Sequence, residues 1–317
     1  MITGINGMTG LHAAKQLLQE GLEVVGYDNN RNGELAFYPE VEAKIQFIWG
    51  DITHFGHLLE TVEKNGVEQI IHLAALRNEV LYKSIPTELL RVNIGGLTNI
   101  LELARIGKIK RIVFASSAAV YGQMDDPDQS IPENAPMDPR GIYANSKAMC
   151  ESLCRAYRNV YGVSVFVLRP SRVYGRLANL DTLEFGNPIS SFVYRLLQGE
   201  SIEESSGADF GGDFTYVPDL AFGCYRALVT PSPQNWIFNV SNGVFYRLSD
   251  VATALGNLFP RARISIGPGM HPYVTQSPIR GPLDIGRAQK ELSFSVAHDL
   301  KGSLEHFVEM LRQRQGL

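Results

Sequence analysis

Cysteine is scarce in this 317-residue sequence, which has three: Cys150, Cys154 and Cys224. An odd number in so long a chain excludes a disulfide framework and points to a reducing, cytoplasmic setting. Cys150 and Cys154 stand four apart on a predicted helix, but no His or second Cys pair nearby completes a zinc-like set. They read as small buried hydrophobes, and no metal site is expected. The sequence lacks an uncharged run long enough for a membrane span, and its start has no basic and apolar leader, so no membrane partner is expected. Net charge is small, −4, and the Lys and Arg residues are scattered, so no nucleic-acid partner is expected either. There is no internal repeat and no low-complexity tract.

What is present is an ordinary globular composition, 44% hydrophobic and 20% charged, enough to bury a large core. Residues 22–28, 44–51, 68–75, 111–117 and 163–170 read as parallel strands buried on both faces. Between them, 8–20, 55–65, 88–107 and 141–161 carry helical periodicity. That alternation predicts an α/β fold, a Rossmann-type doubly wound parallel sheet with ligands beyond the carboxyl ends of its strands. After about residue 170 the pattern changes to helices near 188–199, 217–229, 248–258 and 301–314, separated by segments rich in Gly, Pro and Ser. The expected division is a dinucleotide-binding domain over 1–170, to which segments near 213–243 return, and a smaller substrate-binding domain over 171–317.

The opening MITGINGMTG spaces Gly4, Gly7 and Gly10 as Gly-x-x-Gly-x-x-Gly, ahead of a helical pattern that ends at Gly21. Small residues there let the backbone approach a pyrophosphate, whose charge meets the helix N-terminus. Only three residues precede Gly4, a marginal strand, so a few further apolar residues upstream are expected. The next strand ends at Asp28, close to the ~20-residue spacing at which a carboxylate bonds the adenosine ribose hydroxyls and repels a 2′-phosphate. NAD is therefore favoured, with NADP kept open by Arg31. Asp51 is placed to bond the adenine amino group, and Ala74 and Ala75 leave room for the cofactor, while His72 reads as a packed strand residue.

In YANSK, Tyr143 and Lys147 lie four apart on one helix face, and Ser117 stands at a strand end in SSAAVYG. These three types suit hydride transfer at an alcohol carbon. The tyrosinate takes the hydroxyl proton, the lysine cation stabilises a phenolate whose free pKa is near ~10 and bonds the nicotinamide ribose, and the serine orients the substrate oxygen.

The motifs in order, TGINGMTG, YDNN, GDIT, HLAA, VNIGGLTNILELA, IVFASSAAVYG, YANSKAMCE, LRPSRVYG, GDFTYVPDLA and LDIGRAQKEL, resemble the extended short-chain dehydrogenase/reductases. The resemblance is to the NAD-dependent sugar epimerase/dehydratase family and spans nearly the whole chain. It implies Ser117, Tyr143 and Lys147 as catalytic and Gly4, Gly7, Gly10, Asp28, Asp51 and Ile52 around the dinucleotide. At motif positions it further implies Met8, Thr9, Asn29, Leu73, Ala74, Ala75, Asn93, Lys147 and Pro170 for the cofactor. It also implies a homodimer through the helices near 88–107 and 141–161.

Dehydratases of this kind carry an Asp-Glu pair after the strand-end Ser or Thr, where this chain has Ala118 and Ala119, which disfavours loss of water. The arginine expected ahead of Asp213 for a substrate diphosphate is Gly212, the asparagine expected before VYG is Arg172, and Arg280 only approximates a later arginine. Arg169, Arg172 and Arg176 crowd one strand end, where Arg172 or Arg176 either binds a substrate anion or pairs with a carboxylate. Arg77 is a further candidate, so the expected substrate side comprises Arg77, Ser117, Ala118, Tyr143, Arg172 and Arg176. Three functions follow: epimerisation of a nucleotide sugar, net dehydrogenation of a non-nucleotide sugar, uronate or hydroxy acid, or a non-catalytic NAD-binding regulator.

Overall fold

The computed structural model describes residues 1–77, 85–123, 126, 128–176, 188–271 and 279–315. Twelve strands are formed among these: β1 (Ile2–Thr3), β2 (Val25–Asp28), β3 (Gln46–Trp49), β4 (Gln69–His72), β5 (Arg111–Ala115), β6 (Val165–Pro170), β7 (Arg172–Tyr174), β8 (Ile202–Glu204), β9 (Gly211–Tyr216), β10 (Ile237–Val240), β11 (Phe245–Arg247) and β12 (Ile264–Ile266). Seven of them make a parallel sheet in the order β10-β6-β5-β4-β1-β2-β3. β7, β9 and β11 form a second sheet, and β8 and β12 a third.

Alternation along the central strands sorts side chains onto two faces. Ile71, Val113, Phe166 and Leu168 pack with the helices Met8–Gln19 and Val217–Val229. Ile70, Ile112, Val165 and Val167 pack on the opposite side with Phe55–Lys64, Gly96–Arg105 and Gly141–Tyr161. This is the doubly wound arrangement. A separate aromatic core of Tyr174, Phe192, Phe210, Phe214, Tyr216 and Phe307 lies beyond it. All three cysteines are buried and unbridged, and burial pushes the thiols up, Cys150 to about 11 and Cys224 to about 12.

β1 is only two residues long yet sits inside the sheet, between β4 and β2. Its ladder is lengthened by backbone alone: Ile71 N–H donates to the Met1 carbonyl at 2.9 Å, Leu73 N–H to Thr3 at 3.1 Å, and Gly4 N–H to Tyr27 at 2.9 Å. The Met1 amino group donates to the Gln69 carbonyl at 2.8 Å, and burial pushes its pKa down to about 5. The chain then turns sharply at Gly4, φ 74°, where a Cβ would stand 2.7 Å from the Ala74 nitrogen. Gly10 brings the helix Met8–Gln19 onto this turn, since a Cβ there would overlap the Gly4 carbonyl. Gly7 caps that helix with its outer side exposed.

Beyond residue 170 the chain serves both layers. β10 pairs with β6 in the main sheet, while β9 pairs with β7 and β11 in the small one. Asp213 holds the two together: its carboxylate accepts from Ser241 Oγ at 2.6 Å, Leu283 N–H at 3.0 Å, and the N–H groups of Asn242 and Gly243 at 3.2 Å. Burial pushes this carboxyl up to about 6 against those four donors. No helix among the described residues is long and apolar enough to cross a membrane, and none of them cluster as metal ligands.

Candidate active site

At the carboxyl end of β5 the chain presents two serines with different surroundings. Ser116 is buried and donates to Glu151 Oε1 at 2.5 Å. Ser117 stays half-buried and opens the turn Ala118–Tyr121, its Oγ accepting from Ala119 N–H at 3.1 Å, which leaves the hydroxyl proton for a substrate oxygen. Facing this strand end is the helix Gly141–Tyr161, which carries Tyr143, half-buried, and Lys147, buried. Lys147 Nζ donates to the Ala115 carbonyl at 2.7 Å and lies 5.8 Å from the centre of the Tyr143 ring. The three residues read as catalytic thus gather where β5 and this helix meet.

The helix is held there by a buried ion pair that spacing did not single out. Arg169, on β6, donates from Nε to Glu151 Oε1 at 2.9 Å and from Nη2 to Oε2 at 2.5 Å, the two side chains being 3% and 1% exposed. A usable signal was there, since Glu151 falls four after Lys147 on the buried face of the helix. Nearby, His72 shares a 2.7 Å hydrogen bond with Thr3 Oγ1 and stacks on Phe114. Burial, with the Lys147 charge, pushes the imidazole down to about 3, so it is neutral and packed.

On the cofactor side, Asp28 accepts from Asn6 N–H and Asn30 N–H, both at 2.9 Å, one on each oxygen. Burial raises this carboxyl, with the backbone donors opposing it. Each oxygen keeps acceptor capacity for a ribose hydroxyl. Asp51 uses Oδ1 on the Thr53 N–H and hydroxyl, both 2.8 Å, and has Arg91 3.8 Å from Oδ2. Against burial, those donors and Arg91 keep its carboxyl below the usual range. Gly4, Thr9, Leu73, Ala74 and Ala75 are partly accessible around the same edge, Asn29 is exposed, and the helix start at Met8 has no side-chain cap and no acidic residue in its first turn. The exposed face of Gly7, the uncapped helix end and the two oriented carboxylates fit a dinucleotide.

Several assigned residues are placed differently. Asn93 lies in a widened turn, Arg91–Gly95, and its amide is consumed by the Leu76 N–H and carbonyl and by Ser146 Oγ, so it ties the segment after β4 to the helix bearing Tyr143. Ile52 and Met8 are buried, the former under Gly96, and Pro170 is buried at the end of β6, so their side chains serve packing. Ala118, 1% exposed, turns inward into a cluster with Val120, Tyr121 and Ile131. Arg176 is 3.6 Å from Glu34, within ion-pair distance, and its guanidinium lies 4.2 Å from the Phe37 ring centre. Arg77 is exposed beside residues outside the described set. Arg172 stays at the site, its guanidinium in the space over Gly212.

Residues 1–241 match the model of the NAD dependent epimerase/dehydratase family. The chain is 30% identical to a putative UDP-glucose 4-epimerase of Methanocaldococcus jannaschii, covering 98% of each protein. It is 27% identical to UDP-glucuronate 4-epimerase 2 of Arabidopsis thaliana, over 97% of this chain and 74% of that one. The fold superimposes with a TM-score of 0.83 on the UDP-glucose 4-epimerase of Thermus thermophilus in complex with NAD, 24% identical, with 98% of each chain covered.

Proposed function

The chain belongs to the NAD dependent epimerase/dehydratase family, and from that premise we propose that it transfers hydride reversibly at a secondary alcohol of a nucleotide sugar, inverting that carbon. The observation that carries this is the convergence of Ser117, Tyr143 and Lys147, with Lys147 fixed on the Ala115 carbonyl at 2.7 Å. Tyr143 Oη accepts the proton of the substrate hydroxyl. Lys147, held by its helix one turn further on, offsets the phenolate charge, and the Ser117 hydroxyl donates to the substrate oxygen as the carbonyl forms. NAD, when bound, supplies the hydride acceptor and returns the hydride. The neutral state of His72 keeps a second cation away from Lys147.

Asp28, with one backbone donor on each oxygen, favours the ribose of NAD over a 2′-phosphate, and Arg31 leans instead over the Trp49 ring at 5.6 Å. Alanines at 118 and 119 provide neither an acid to protonate a leaving hydroxyl nor a base to take the neighbouring proton, which supports epimerisation over dehydration. With a UDP-sugar and NAD, the epimer is expected to form with no net NADH absorbance. Steady NADH build-up would instead make the protein a dehydrogenase, and tight NAD binding without turnover of any sugar a regulator.

A second copy of the chain is the proposed partner. Met149, Val160 and Tyr161 are exposed on Gly141–Tyr161, with Ile106 at the end of the adjoining helix, an apolar face that two copies can bury together. Sedimentation equilibrium is expected to give twice the chain mass; a monomer at micromolar concentration would refute this.

A further inference from the structure

Asn239 is fully buried on β10, the edge strand of the main sheet, and is paired in register with Arg169 on β6. Its Oδ1 accepts from Tyr121 Oη at 2.7 Å, and its Nδ2 donates to the Ile131 carbonyl at 2.9 Å and the Asp284 carbonyl at 3.1 Å. The amide oxygen and both amide hydrogens are therefore in use. The orientation of the pair is forced, because Arg169 Nη1 donates to the same Tyr121 Oη at 2.8 Å and a guanidinium has no acceptor. The phenol hydrogen is left for Asn239 Oδ1. Burial, against the Arg169 charge, pushes the phenol up to about 12, which keeps that hydrogen in place.

Tyr121 closes the short turn that Ser117 opens. Inside it, Ala119 N–H donates to Ser117 Oγ at 3.1 Å, Val120 N–H to the Ser117 carbonyl at 3.3 Å and Gly122 N–H to the Ala119 carbonyl at 3.3 Å. These bonds join near neighbours and shape the turn, whereas the Tyr121 hydroxyl ties it to both β6 and β10. The same amide reaches the C-terminal part of the chain, since Asp284 N–H donates to the Ile131 carbonyl at 2.9 Å and Ile131 N–H to the Pro282 carbonyl at 2.8 Å. Tyr143 and Lys147 are placed otherwise, by their helix and by the Ala115 carbonyl. A disturbance at Asn239 therefore reaches Ser117 before it reaches them.

We propose that Asn239 is a positioning residue for Ser117: through the Tyr121 hydroxyl it fixes the turn after β5, so that Ser117 Oγ meets the substrate oxygen as the carbonyl forms. This rests on the hydride-transfer reading above and gives an edge strand far along the chain a part in that step. Asparagine suits the place because it offers one acceptor to the phenol and two donors to the carbonyls. Aspartate keeps the first and lacks the second; leucine fills the volume and has neither.

The test measures kcat, KM and NAD affinity of the whole protein with a UDP-sugar, beside melting temperature and amide hydrogen exchange over residues 117–122. Tyr121→Phe removes only the hydroxyl and leaves the ring beside the Arg169 guanidinium, 4.8 Å from it. It is expected to lower kcat roughly tenfold to hundredfold, within what loss of a transition-state donor costs, with KM and NAD affinity near wild type and faster exchange in the turn. Asn239→Leu is expected to do the same. Asn239→Asp gives up at least one of the bonds to the Ile131 and Asp284 carbonyls, so its melting temperature is expected to fall with that of Asn239→Leu, while its kcat stays near wild type. In a Ser117→Ala background, Tyr121→Phe is expected to lower kcat no further, because the group it positions is gone. A kcat that follows melting temperature through all three variants, a full further loss in the Ser117→Ala background, or unchanged exchange in the turn would overturn the proposal. Wild type that turns over no UDP-sugar would count against the hydride-transfer reading instead, and exchange in the turn would then decide the positioning alone.

Discussion

Phenylalanine in place of Tyr143 is expected to lower kcat by roughly a hundredfold to ten-thousandfold, the contribution of a positioned acid–base group, with NAD affinity nearly unchanged. The substitution removes one atom. The ring remains beside Lys147, 5.8 Å from Nζ to its centre, and Lys147 keeps its 2.7 Å bond to the Ala115 carbonyl. Among the described residues, Asp28 is oriented by Asn6 and Asn30, Asp51 by Thr53 and Arg91, and the turn at Gly4 by Tyr27. On the proposed mechanism, what disappears is the group that takes the hydroxyl proton as hydride leaves, and Ser117, a hydroxyl already bonded at its oxygen by Ala119 N–H, is a poor base for that step. The measurement is kcat with a UDP-sugar beside an NAD titration. Turnover near wild type would remove Tyr143 from the chemistry, and a parallel loss of NAD binding would show that the variant had disturbed the cofactor site instead.

Much of this was legible from spacing. β2 to β6 and the helices between them stand where the apolar runs and helical periods put them, because a strand buried on both faces and an amphipathic helix each leave a pattern in side chains. β1 left none, since its ladder depends on backbone groups of Met1, Thr3 and Gly4. The three-residue strands β7, β8, β11 and β12 are too short to show a period. Tyr143, Lys147 and Ser117 were readable because a helix and a strand end fix their mutual positions locally. For Arg176 the sequence leaves two alternatives, an anion or a carboxylate partner, because Glu34, 3.6 Å away, comes from a distant part of the chain and no spacing announces it. That Ala118 is buried is not visible in the sequence, because the tight turn after Ser117 is what points it into the core. Gly212 and Arg172 were each visible as departures from the expected pattern, but only strand pairing reveals that one occupies the space the other leaves.

The largest loss of stability is expected from Glu151→Leu, about 3–5 kcal/mol, because it strands the Arg169 guanidinium in a place with almost no solvent. Arg169 would keep its bonds to Tyr121 Oη at 2.8 Å and the Glu133 carbonyl at 3.0 Å, neither of which carries a compensating charge. Replacing both partners, Glu151→Leu with Arg169→Met, removes the uncompensated charge and is expected to restore most of the stability, read as the urea midpoint at unchanged slope. Function should not follow stability. Glu151 also accepts from Ser116 at 2.5 Å, so it links the helix bearing Tyr143 and Lys147 to the strand end bearing Ser117. The apolar pair refills the volume without that link, and reacting groups displaced by a fraction of an ångström lose rate more than binding. The double variant is therefore expected to have a near-native midpoint and NAD affinity with a kcat still depressed by tenfold or more. Recovery of kcat together with stability would mean that the pair only packs the helix; a split between them makes Glu151 a positioning residue for the proton transfer at Tyr143.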